Sequence, residues 1–181
     1  MCIRDSDGTF GGQIANVDDS KLDALTGTTP FMIRMKVKLN SAATKNHILI
    51  NRGGEPYQIA YGKDGTASRI KFQMRDTGGT WHETKVCVTD KIGQEIDILA
   101  LYTGSTMGLW VDGERCTDYS SHNSKPDVSY TMKNGTANAL KIGEADSNAS
   151  IKSVQVVNNI GTITNTAVSY THLTLPTILR V

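Results

Sequence analysis

Several features that usually reveal a protein's work are missing or sparse here. Three cysteines in 181 residues are too few for a disulfide-dense scaffold, and the odd number leaves at least one unpaired. Neither sign of charge prevails. Nineteen basic residues stand against eighteen acidic ones, which removes any bulk electrostatic case for nucleic acid or an anionic membrane. No apolar run approaches the roughly 20 residues that a membrane-spanning helix needs. No helical period of apolar residues is sustained, and there is no internal repeat. The four histidines, His47, His82, His122 and His172, never fall at metal-ligand spacing, and no Cys-x-x-Cys occurs. A Gly-x-Ser-x-Gly elbow, a P-loop and a dinucleotide fingerprint are also absent.

What is present is a β pattern. Seventeen glycines, with many Ser, Thr and Asn, suit a chain full of turns. Its centre is residues 94–116, QEIDILALYTGSTMGLWVDGERC. Ile96, Ile98, Ala100 and Tyr102 alternate with Asp97, Leu99 and Leu101. After TGST, Met107, Leu109 and Val111 alternate with Gly108, Trp110 and Asp112. Period-two alternation sends successive side chains to opposite faces, so this is two strands joined by a short turn. Asp112-Gly113 opens a second tight turn. The first strand is largely apolar on both faces, as an interior strand of a two-layer structure would be.

Other strands follow from the same rule. Residues 31–39 (FMIRMKVKL) alternate apolar with basic, a half-buried strand with a basic outer face. Residues 46–51 (NHILIN) lead into an Arg52-Gly53-Gly54-Glu55-Pro56 turn. Residues 57–61 and 69–75 flank Lys63-Asp64-Gly65, with Ile70, Phe72 and Met74 facing in and Arg69, Lys71, Gln73 and Arg75 facing out. Thr77-Gly78-Gly79 turns the chain into residues 81–88, where Val86 and Val88 face in and Glu83, Lys85 and Cys87 face out. Residues 117–138 form the longest polar stretch, a loop of a length that is more often functional or mobile than inert. Residues 140–142 and 152–157 close the pattern. The expectation is one all-β domain, a two-sheet antiparallel β-sandwich with a substantial core.

A strand ending Tyr-x-Gly, a short turn and then Leu109-Trp110-Val111-Asp112-Gly113 resembles the signature hairpin of the laminin-G-like, concanavalin A-like jelly rolls. Residues 30–39 resemble that family's early core strand, and residues 139–159 (ALKIGEADSNASIKSVQVVNN) its closing pair of strands. The resemblance runs in family order from about Phe10 to Ile160. It implies a jelly roll of two curved sheets and usually a binding role, without naming a ligand.

The ends are different in character. MCIRDS (1–6) and VSYTHLTLPTILRV (168–181) resemble translated sequencing-adapter DNA at the edges of an assembled metagenomic fragment. On that reading residues 1–6 and 167–181 are foreign and residues 7–166 are the domain. A genuine β tail is the alternative. Leu22 and Leu25 would anchor the irregular lead-in.

Candidate chemistry is limited. Glu95-Ile96-Asp97 resembles the start of the Glu-x-Asp-x-x-Glu motif of retaining concanavalin A-like glucanases. Retaining hydrolysis needs two carboxyls about 5–5.5 Å apart, but Ala100, or Leu99 at the shorter spacing, stands where the second Glu belongs. No enzymatic activity is therefore expected. Sugar recognition needs aromatic rings for pyranose faces and planar polar groups for hydroxyls. Trp81, His82 and Arg75 supply these around the Gly78-Gly79 turn, and Tyr119, His122 and Asn123 on the long loop could close over the same ligand. Trp110 is a second aromatic candidate. The resemblance also makes calcium an occasional guest, with Asp18, Asp19 and Asp146 as weak candidate ligands. No cofactor is required. Cys87 and Cys116 are open to pairing, to lying as inert thiols, or to reactivity. The sequons at Asn134 and Asn148 are no more than chance provides.

The expected function is a non-catalytic carbohydrate-recognition module of a larger extracellular or surface protein. Its partners would be a glycan or polysaccharide and neighbouring domains of a parent chain. An adhesion or structural interdomain module is the alternative, and a divergent glucanase a distant third.

Overall fold

A computed structural model describes residues 2–3, 15–17, 27–52, 56–116, 129–134, 140–143 and 148–158. Among these residues twelve strands are present: β1 (Cys2–Ile3), β2 (Ala15–Val17), β3 (Phe31–Leu39), β4 (His47–Arg52), β5 (Tyr57–Asp64), β6 (Ala67–Arg75), β7 (Trp81–Cys87), β8 (Glu95–Tyr102), β9 (Met107–Val111), β10 (Glu114–Arg115), β11 (Leu140–Ile142) and β12 (Ala149–Asn158). A 3-10 turn, Thr89–Lys91, carries the chain from β7 towards β8. They form two six-stranded sheets. The first has the order β1-β12-β3-β8-β9-β10 and the second β2-β11-β4-β5-β6-β7. Every pairing between named strands is antiparallel.

The alternation read from the sequence decides which side chains meet between the sheets. Phe31, Ile33, Met35, Val37 and Leu39 of β3 are fully buried, as are Ile98, Ala100 and Tyr102 of β8. Tyr57, Ile59 and Tyr61 of β5 and Ile70, Phe72 and Met74 of β6 meet them from the second sheet. Aromatics are scarce, yet they gather at one end of the core. Phe31 lies 4.9 Å from Tyr57 and 5.7 Å from Tyr102, and Tyr102 lies 5.9 Å from Tyr130. Such tilted ring pairs add packing beyond area burial.

The Asp112-Gly113 turn forms with φ of 52° and 84°, as a two-residue hairpin loop requires. In the β8–β9 turn, Gly104 has φ of 96°, and a Cβ there would lie 2.4 Å from the Thr28 carbonyl oxygen.

Three readings from the sequence change in the structure. Strand β4 runs one residue further than the apolar run, so Arg52 is no turn residue but lies inside at 2% exposure, paired in register with Leu140 of β11 and beside the Tyr57 phenol. Part of the long polar stretch enters the core: Met132 is fully buried and bridges both Gly27 and Asp76, and Tyr130 packs against the core. Ser129-Tyr130-Thr131-Met132 does alternate, but four residues within a polar run were too faint a signal. Finally, β12 spans ten residues, with an irregularity between Ile151 and Ser153 that lets it keep its apolar face on β3. Leu22, Leu25 and most of both ends lie outside the described residues, although Cys2 and Ile3 pair with Gln155 and Val154.

Candidate functional site

The sandwich leaves two outer faces, and they differ. On the first sheet the charged side chains stand clear: Lys36 is 51% and Glu95 46% exposed. On the second sheet Glu83 and Lys85, which also point outward, are only 13% and 11% exposed. At its centre Ala60 is 1% and Lys71 8% exposed, although both face away from the core. This face is therefore closely packed, with little of its outward side chains left to solvent. A Cβ on Gly62 would come within 3.3 Å of the Lys71 side chain and collide with the Asn46 amide.

Register lays polar groups across this face in rows. One row runs Lys141, Asn51, Gln58, Gln73, Glu83 over five adjacent strands. Gln58 Nε2 donates to Gln73 Oε1 at 2.5 Å, and Gln73 Nε2 donates to Glu83 Oε2 at 2.6 Å. The next row holds Ala60, Lys71 and Lys85. Lys71 Nζ donates to Asn46 Oδ1 at 3.0 Å and to the Lys63 carbonyl at 3.4 Å. Beyond it, Asp64 binds Lys85 and lies 3.2 Å from Arg69. The Lys85 hydrogen bond is the main reason that the Asp64 carboxyl is held below its ordinary value.

At the other end of this face, Arg75 and Trp81 are partners in register on β6 and β7. The guanidinium carbon is 5.9 Å from the indole centroid, within reach of a cation–π contact. Arg75 Nε donates to the Gly79 carbonyl at 3.0 Å. Asp76 organises the turn between them: its Oδ1 accepts the Thr80 N–H at 2.8 Å.

His82 goes the other way. Alternation that brings Trp81 outward takes His82 inward, where it is 7% exposed and stacks on Tyr130 at 4.0 Å with planes 5° apart. Its Nε2 lies 2.9 Å from Asp76 Oδ2. Burial acts to raise the Asp76 carboxyl, but the bonds from His82 and the Thr80 N–H outweigh it and hold the group below its ordinary value. So Trp81 and Arg75 share one surface, while His82 steadies from beneath the turn that connects them. Tyr119, His122 and Asn123 lie outside the described residues, as do Asp18, Asp19 and Asp146. Among the described residues no three His, Cys, Asp or Glu side chains cluster as metal ligands.

Glu95 and Asp97 stand on the outer face of the first sheet as ion-pair members. Arg34 binds Asp97, with Nη2 at 2.5 Å from Oδ2, and Lys36 lies 3.6 Å from Glu95. Ala100, at the place of the motif's last carboxylate, is buried in the core. Trp110 is on this face too, its ring lying over Gly108 with Arg115 at 5.8 Å. Cys87 and Cys116 are both free thiols.

Sequence reasoning missed the Gln58–Gln73–Glu83 row and Lys71. Period two gave the facing of each strand, but only the register could align them.

The sequence matches no protein-family model and no curated protein. Solved structures are similar at low identity. The binding domain of botulinum neurotoxin serotype D has a TM-score of 0.54 at 10% identity, over 79% of this chain and 35% of that one. The galectin LEC-6 of Caenorhabditis elegans has a TM-score of 0.49 at 17% identity, over 84% of this chain and 98% of that one. An alginate lyase from Alteromonas sp. 272 has a TM-score of 0.48 at 9% identity, over 75% of each chain. The fold is a concanavalin A-like jelly roll. These likenesses concern the fold alone, and one fold hosts many functions.

Proposed function

We propose that the outer face of the second sheet is a saccharide-recognition surface, and that the chain is a non-catalytic carbohydrate-binding module. The observation that carries this is the shared outer surface of Trp81, Arg75 and the Gln58–Gln73–Glu83 row. An indole stacks on the apolar face of a pyranose, and planar amides and a carboxylate accept and donate to its hydroxyls. These groups sit on paired strands and are already bonded to one another, so little ordering cost remains for the ligand to meet. Botulinum neurotoxin type C, whose structure has a TM-score of 0.53 at 8% identity, enters cells in dependence upon interaction with two ganglioside molecules. That likeness supports the scaffold's suitability for glycans and no particular sugar.

A module of this kind holds a parent protein near its glycan and raises the local concentration of any attached activity. An extracellular or cell-surface setting and a larger parent chain belong to the same proposal. Screening on a glycan array, followed by titration of each glycan retained, tests it. Trp81→Ala should weaken binding at least tenfold with the unfolding midpoint unchanged. Retention of no glycan, or affinity indifferent to Trp81, would overturn the reading.

One observation favours a protein-contact role instead. Met32, Leu99, Leu101, Trp110 and Val157 are all half-buried on the outer face of the first sheet, where register makes them neighbours. Loss of a protein partner on Leu99→Glu, with glycan binding absent, would favour that role.

A further inference from the structure

Charge on this outer face is uneven. Among the described residues Arg69, Lys71, Arg75, Lys85 and Lys141 face outward from the second sheet, against the carboxylates of Asp64 and Glu83. Each carboxylate is already engaged. Asp64 binds Lys85 and Arg69, and Glu83 lies 3.7 Å from the same Lys85. Lys71 and Arg75 hydrogen-bond only to neutral acceptors among the described residues: Asn46 Oδ1 and the Lys63 carbonyl for one, the Gly79 carbonyl for the other. Lys71 acts on the Asp64 carboxylate only from a distance, as the weakest of the charges that lower it.

We infer that the saccharide this face takes is anionic, carrying carboxylate or sulfate groups that sit against Lys71 and Arg75. The inference rests on the recognition reading above and adds the chemical class of ligand. An ammonium has three donors and a guanidinium five, so each keeps donors beyond those bonds. Lys71 is 8% exposed, and a largely buried cation whose hydrogen bonds all go to neutral oxygens gains more from an incoming anion than a solvated one does. Arg75 offers the planar fork that matches a carboxylate or sulfate in two parallel bonds. Lys71 and Arg75 are four residues apart on one strand, about 13 Å at 3.3 Å per residue. That exceeds one pyranose ring, so the ligand is a chain with repeated anions rather than a single sugar acid. The Gln73–Glu83 pair lies between the two cations and meets hydroxyls there.

Titration calorimetry on the full chain would use four probes: polygalacturonate, its fully methyl-esterified form, κ-carrageenan and neutral galactan. Polygalacturonate or κ-carrageenan should bind, at least tenfold more tightly than the ester or galactan, and affinity should fall as salt rises. Preference for the first assigns carboxylate, and for the second sulfate. Lys71→Gln and Arg75→Gln should each weaken binding about tenfold, whereas Lys36→Gln on the opposite sheet should not. Arg75→Gln keeps the test valid if Lys71→Gln fails to fold, which thermal unfolding would reveal. Equal binding of charged and neutral probes, still dependent on Trp81, would overturn the anionic class and leave saccharide recognition standing. An equal loss with Lys36→Gln would mean general attraction of a polyanion and would overturn the assignment to this face. Retention of neutral array glycans with no binding to any of the four probes would also overturn it.

Discussion

The Tyr102 hydroxyl sits where separate backbone segments converge. It lies 3.0 Å from the Gly27 carbonyl, 2.9 Å from that of Gly104 and 3.0 Å from that of Tyr130, and it accepts the Met132 N–H at 3.2 Å. One hydroxyl thereby ties the lead-in, the β8–β9 turn and the segment around Met132. Burial raises this phenol above its ordinary value, with the Met132 N–H opposing, so the neutral, donating form persists. Tyr102→Phe leaves buried backbone groups short of a partner, and should cost about 1–3 kcal/mol in urea unfolding. An unchanged midpoint would mean that water replaces the hydroxyl. The sequence marks Tyr102 as the end of an apolar strand, but nothing in it shows that residues 27, 104, 130 and 132 meet there.

At the scale of elements, the β8–β9 hairpin shows how a turn can be tied to the rest of the fold. Gly104 combines a positive φ with a Thr28 carbonyl in the space a side chain would need. Gly104→Ala should therefore destabilise by more than the roughly 1 kcal/mol typical of a glycine held only by its φ. Gly113 has φ of 84° with open space around it, so Gly113→Ala pays the backbone cost alone. Thermal unfolding of the two variants side by side checks this, and equal losses would remove the steric argument. Strand interiors divide by face in the same way. Ile98→Ala should cost about 2–5 kcal/mol, whereas Lys36→Ala on the neighbouring strand should stay within about 0.5 kcal/mol.

Taken as a whole, the molecule has carboxylates tied into both sheets. Asp64, Asp76 and Asp112 are each held below an ordinary value of 3.8. For Asp112, burial works upward and is outweighed by Lys91, at 2.8 Å, and by the Asp97 N–H, at 2.9 Å. A carboxyl lowered by folding adds stability that is complete above its unfolded value and disappears as pH falls through its folded value. Urea midpoints should hold from neutral pH to about pH 5 and decline below about pH 4. Asp76→Asn should lower the neutral midpoint and flatten that decline. A decline as steep as that of the unaltered protein would show that Asp76 contributes nothing to it.

The sequence by itself determined the sandwich. Alternation at period two in residues 31–39, 69–75, 96–102 and 107–111 is a local property, and burying one face of each strand leaves two stacked antiparallel sheets as the economical solution. It also put Trp81 and Arg75 beside the same turn. Tertiary structure alone decided that His82 is a support beneath that turn rather than a contact on the surface, because the side a strand buries depends on what packs against it. Only strand register could align Gln58, Gln73 and Glu83, and only the meeting of Asn46 and Lys71 over Gly62 closed the packing of that face. Both arise from residues far apart in the chain, and no local pattern encodes a meeting between them.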